Sequence, residues 1–176
     1  GAYEKQKGLL NKLIRFETFY TALQYLSFAK AKIPYMGVGR NLAYHTELFF
    51  KNRGFASHQH ILSGDDDLFI NEVANRHNTQ IVVDEKAHTI SKPKNSYQKW
   101  FRQKKRHFSA GKHYKFKHKL MLGLLQLSQL VFMVLFIALV IKVRPVYLIV
   151  GVFVLRYLIQ MLIFKLSTNK VGGKDL

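Results

Sequence analysis

Apolar residues early in the chain recur at helical steps. Leu9, Leu13, Phe16, Tyr20, Leu23 and Leu26 fall three or four apart, which predicts a helix over residues 8–30 that covers a core and stops before Pro34. Leu48, Phe49, Phe50 and Phe55 bracket Lys51-Asn52-Arg53-Gly54, the pattern of a helix end closed by glycine. A further helix is expected over residues 65–75, preceded by Gly64 and opening on acids that the helix dipole favours. Ile81, Val82, Val83 and Ile90 around Asp84-Glu85 predict a short strand pair or a bent strand over residues 79–83 and 87–90. Between residues 96 and 108, Tyr97, Trp100, Phe101 and Phe108 share a helical face, while Lys99, Arg102, Lys105 and Arg106 fill the rest. That composition suits a helix lying in a membrane interface.

Two apolar runs follow, residues 120–141 and 145–164, each long enough to cross about 30 Å of hydrocarbon at about 1.5 Å per residue. The linker Lys142-Val143-Arg144 is short, so the runs should form a tight hairpin. Gln126 and Gln129 in the first run, and Arg156 and Gln160 in the second, are expected to face one another, because an unpaired arginine in hydrocarbon is costly.

Charge sharpens this picture. Lys and Arg total 28 against 10 Asp and Glu, a net charge of +18, and from residue 86 to 119 there are twelve Lys or Arg and no acid. Such a block seeks phosphate, and its place just before the first apolar run makes a membrane surface the simplest partner. Basic residues on both flanks of the hairpin, with Lys165, Lys170 and Lys174 after it, place both ends in the cytoplasm by the positive-inside rule. The chain has no cysteine, which excludes disulfides and thiolate metal sites. Its opening Gly1-Ala2-Tyr3, with neither Met nor leader, reads as a cut from a longer protein.

Candidate chemistry concentrates in Ser63-Gly64-Asp65-Asp66-Asp67-Leu68-Phe69. Three adjacent carboxylates repel one another, so they call for a helix terminus, a cation, or use of one as a base. Asp65-x-Asp67 also spells DxD, but no buried apolar strand precedes it, and the metal reading ranks below the others. Downstream, Gln103 and Arg106 are three apart and can grip one anion together. His58-x-His60 and the set His107, His113 and His118 lack the companion ligands of a metal site and read as surface or interfacial histidines.

Taken in order, Gly37-Val38-Gly39-Arg40-Asn41-Leu42-Ala43-Tyr44, Gly54-Phe55, Gly64-Asp65-Asp66-Asp67-Leu68 and Gln103-Lys104-Lys105-Arg106-His107, then membrane helices, resemble the second half of a family 2 glycosyltransferase, relatives of cellulose and hyaluronan synthases included. The resemblance implies an α/β fold: the C-terminal, acceptor-side half of a GT-A catalytic domain (residues 1–95), a basic amphipathic interfacial helix (96–118), two transmembrane helices (119–165) and a cytoplasmic tail (166–176). It implies inverting transfer of a sugar from a nucleotide-sugar donor to a lipid-linked or polysaccharide acceptor, by a multi-pass protein of the cytoplasmic membrane.

By the same resemblance Asp66 is the base, Asp65 stands where the family has Glu, and an alignment through Leu68 shifts the role to Asp67. Gln103 and Arg106 would hold the donor diphosphate, His107 replaces the Trp of QxxRW, and Gly37, Gly39, Arg40 and Asn41 border the acceptor. A divalent metal, Mg or Mn, is implied with ligands outside this chain, so the isolated chain should be inactive. The implied partners are donor, acceptor and membrane, without nucleic acid. The competing reading is a membrane-anchored basic module that recruits anionic lipid or RNA and whose acids only cap a helix.

Overall fold

In a computed structural model the described residues are 1–61 and 63–171, and they form two compact units, one built mainly from Gly1–Lys115 and the other from Phe116–Ser167. The element order of the first unit is β1 (Ala2–Tyr3), α1 (Leu9–Lys30), α2 (Thr46–Lys51), α3 (Asp65–Val73), β2 (Ile90–Ser91) and α4 (Tyr97–Gly111). The second holds α5 (Phe116–Lys142) and α6, which runs from Val146 to Val171.

This architecture overturns the α/β expectation. Helix dominates, and the only sheet among the described residues is the parallel pair β1–β2, with Ala2 opposite Ile90 and Tyr3 opposite Ser91. It is therefore not the half of an α/β GT-A domain. A strand needs a neighbour to take its backbone N–H and C=O groups, and among the described residues, residues 79–83 find none. They remain irregular, with Val82 and Val83 exposed. In the glycine-rich segment Val38 and Leu42 are extended, and a 3-10 turn over Gly39–Asn41 separates them.

Helix α1 forms where its periodicity predicts, but a different face is buried. Asn11, Ile14, Phe19 and Ala22 point inward, whereas Leu9, Leu13, Phe16 and Tyr20 of the expected stripe are exposed. Asn11 fixes the helix start: its side-chain amide donates to the Glu4 carbonyl and its oxygen accepts from the Gln6 N–H, both at 2.9 Å.

The core of this unit centres on α3. Phe69 is fully buried, with the rings of Tyr44, Phe49 and Phe55 at 4.9, 5.6 and 5.8 Å. Gly54 closes the turn after α2 with φ +60, and a Cβ there would stand 2.7 Å from the Phe49 ring, so the position demands glycine. Buried Asn71 donates to the Tyr35 carbonyl at 2.6 Å and accepts from the Lys115 N–H at 2.9 Å, tying α3 to two distant segments. Helix α4 begins at Ser96, whose Oγ accepts from the Lys99 N–H at 3.3 Å, an ordinary N-cap.

In the second unit α5 and α6 are both long and apolar enough to cross a membrane. They pack through Phe153, which stacks on Phe132 and Phe136 at 6.0 and 4.0 Å. Of the four polar residues within the runs, Arg156 and Gln129 meet directly, with the guanidinium donating to the amide oxygen. Gln126, like Gln129, is exposed on α5, and Gln160 is half-buried on α6.

Candidate functional site

Helix α3 opens on a special backbone. Gly64 adopts the left-handed conformation with φ +85, and Asp65, Asp66 and Asp67 form the first turn that follows. The free N–H groups and dipole there offset the repulsion among the three acids. A Cβ on Gly64 would overlap the methyl of Ala110, which is fully buried near the end of α4. Glycine against alanine therefore lets α3 and α4 approach closely, and this contact brings the acidic turn beside the basic helix.

A cavity of about 470 Å³ lies at the junction. Asp65, Asp66 and Asp67 border it from α3, and Gln103, Arg106 and His107 border it from α4. Gly39 and Arg40 reach it from the 3-10 turn. Gly37 and Asn41 do not; both border a neighbouring groove of about 890 Å³. Gly37 has a packing reason for lacking a side chain, since a Cβ would stand 2.8 Å from Ile70 and 3.1 Å from Leu42.

The three acids sit in different surroundings. Asp65 is exposed, whereas Asp66 and Asp67 are half-buried. Asp66 Oδ2 accepts from the backbone N–H of Gly39, and a Cβ on Gly39 would stand 2.9 Å from that same oxygen. Asp67 is hydrogen-bonded to the Tyr114 hydroxyl. Burial, then the charge of Asp66, raises the Asp67 pKa from 3.8 to about 7, although the Tyr114 bond opposes the shift. The same surroundings push the Tyr114 and Tyr35 hydroxyls upward, chiefly through burial.

On the facing wall Gln103 Nε2 donates to the Tyr3 hydroxyl at 3.3 Å, and the Arg40 guanidinium lies 4.2 Å over the Tyr3 ring. Desolvation of the His107 ring, followed by the charges of Lys104 and Arg106, lowers its pKa, although much of the residue remains exposed.

Several lining residues escaped the sequence reading. Glu17, Thr18, Thr21 and Tyr25 of α1 border the cavity, with Glu17 ion-paired to Lys104 and accepting from Thr21 Oγ1 at 3.2 Å. A signal existed, because Glu17 is the sole acid between Glu4 and Glu47 and shares a helical face with hydroxyl residues. Trp100 also lines the cavity. It lies seven residues before His107, nearly two full helical turns, which puts the two on the same face. Its indole N–H is buried without an acceptor among the described residues.

Among the described residues no group of three His, Asp or Glu could hold a metal ion. Asp66 accepts from a backbone N–H and Asp67 is hydrogen-bonded to Tyr114, while the divalent ion that the resemblance implies would take its ligands from outside this chain. Compared with known protein families, curated proteins and solved structures, the chain matches none.

Proposed function

We propose that this chain supplies the acceptor and leaving-group side of a membrane-bound glycosyl transfer site, moving a sugar from a nucleotide-sugar donor to a lipid-linked or polysaccharide acceptor at the cytoplasmic membrane face. One observation carries the reading: a single cavity is bordered by a half-buried carboxylate, Asp66, and by the Gln103 and Arg106 side chains. Inverting transfer needs those two chemistries across one small space.

In this reading the acceptor hydroxyl gives its proton to Asp66 as its oxygen bonds to the anomeric carbon. The bond from that carbon to the diphosphate oxygen breaks on the opposite face, and its electron pair departs with the diphosphate. Arg106 and Gln103 donate to the oxygens where the negative charge collects. The Gly39 N–H holds the carboxylate in place, and Asp65, the most exposed of the three acids, has no such constraint among the described residues. The polar wall of Glu17, Thr18 and Thr21 suits a polyhydroxylated acceptor. The divalent ion belongs, in this proposal, to residues outside the chain.

A second reading draws on the outer face of α4. Phe101 and Phe108, seven residues apart, are 66% and 77% exposed within a segment that contains no acid. As a purely membrane-binding module, the chain would use that face alone.

Asp66→Asn separates the two. Asparagine keeps an oxygen for the Gly39 N–H, so the fold should persist. In the intact protein, transfer should fall by about 10²–10⁴-fold while donor binding is kept. Unchanged transfer would leave the binding-module reading standing.

A further inference from the structure

Helices α5 and α6 hold one full charge in their seam, at Arg156. Its Nη2 donates to Gln129 Oε1, and its guanidinium lies 3.8 Å over the Phe132 ring and 5.6 Å from that of Tyr157. Those contacts hold the side chain but bring no counter-charge. Nη1 is buried against the two helices and has no hydrogen-bond acceptor among the described residues, so a counter-charge would reach the guanidinium through the half-buried remainder of Arg156.

Depth decides where a counter-charge can come from. Arg156 stands about 15 Å of helix rise beyond Val146 and about 18 Å before Thr168, the middle of a span that matches about 30 Å of hydrocarbon. Lipid phosphates lie at the edges of that layer, farther away than an arginine side chain extends. The chain itself offers nothing, because no Asp or Glu occurs between Glu85 and Asp175. A second copy would therefore set arginine against arginine.

We infer that the hairpin is built to pair with another membrane-spanning helix that carries a carboxylate at mid-depth, and that Arg156, presented by Gln129, is the recognition point. Hydrocarbon strongly disfavours an isolated charge and strengthens a matched pair, so a single carboxylate would select the partner. The Gln129 bond and the stacked Phe132 ring pre-orient the guanidinium before the partner arrives. The inference rests on the two helices crossing the bilayer and does not depend on sugar transfer.

The absence of cysteine allows a clean test, since one introduced cysteine carries one label. The full chain, labelled at Lys142→Cys, is reconstituted in phosphatidylcholine vesicles with single-span Leu-Ala peptides that carry Glu, Gln or Leu at the centre and an acceptor fluorophore. Energy transfer should show the Glu peptide associating about tenfold more tightly than the Leu peptide. Arg156→Leu should abolish that preference and Arg156→Lys should keep part of it. A label moved to Ile137→Cys and quenched by brominated lipid tails checks insertion separately. Quenching without a preference for Glu, or a preference that survives Arg156→Leu, overturns the inference alone. Absence of quenching overturns the transmembrane reading and the inference with it.

Discussion

The backbone N–H of Gly39 donates to the Asp66 carboxylate, joining a 3-10 turn to the first turn of α3 across 27 positions of sequence. The approach is possible because residue 39 has no side chain: a Cβ would lie 2.9 Å from Oδ2 and 3.3 Å from the Cβ of Asp66. Gly39→Ala should therefore displace the carboxylate. Because Gly39 is exposed and the contacted atoms belong to a side chain that can turn away, we expect a change in stability of only about 0.5 kcal/mol by thermal melting together with loss of transfer in the intact protein. Asp66→Asn should spare stability and lose transfer only. If Gly39→Ala melts like the parent chain and transfers sugar normally, this contact does not position the carboxylate.

Gly64 and Ala110 make the second indispensable approach. Gly64→Ala combines a left-handed φ of +85 with an overlap against the Ala110 methyl, and should cost more than about 2 kcal/mol. Ala110→Gly opens space without changing the φ requirement. The double variant should recover the steric share of the loss, and a strictly additive melt of the two single variants would refute direct contact.

Asp67 should leave a signature in pH. A carboxyl with a higher pKa in the folded than in the unfolded chain binds its proton more tightly when folded. Its contribution is thus fully present below about pH 4 and lost as pH rises through about 7. Asp67→Asn carries no ionisable proton and can still bond the Tyr114 hydroxyl. The variant should melt higher than the parent at pH 8, and the advantage should shrink toward pH 5. An equal difference at the two pH values would mean that Asp67 is ionised in the folded chain.

The local pattern in the sequence was enough to place α1, α3, α4 and the two long apolar helices, because each is announced by periodicity, a glycine or serine boundary, or sheer length. The sheet was not legible. The β-branched run Ile81-Val82-Val83 reports β-propensity, but a strand exists only if another edge receives it, and that is a non-local property. Which face of α1 turns inward was hidden for a related reason. Leu9, Leu13 and Phe16 make the more apolar stripe, while the buried one includes Asn11, whose amide is satisfied by the backbone of the preceding segment. The acidic turn and the Gln103–Arg106 pair could be picked out by residue type, whereas Glu17 and Trp100 join the cavity through helix packing.

Trp100 is the chain's single tryptophan and lines the cavity, so its fluorescence reports on whatever enters. Inorganic pyrophosphate carries the charge of the proposed leaving group and should change the emission saturably on titration into the full chain in detergent. Arg106→Ala removes a charge-assisted donor and should weaken that binding by about tenfold or more. Arg102→Ala, an exposed position outside the lining, should leave it nearly unchanged and controls for the general basicity of α4. Equal losses in the two variants would mean that pyrophosphate senses only the helix's net charge, and the assignment of Arg106 to the leaving group would then fail.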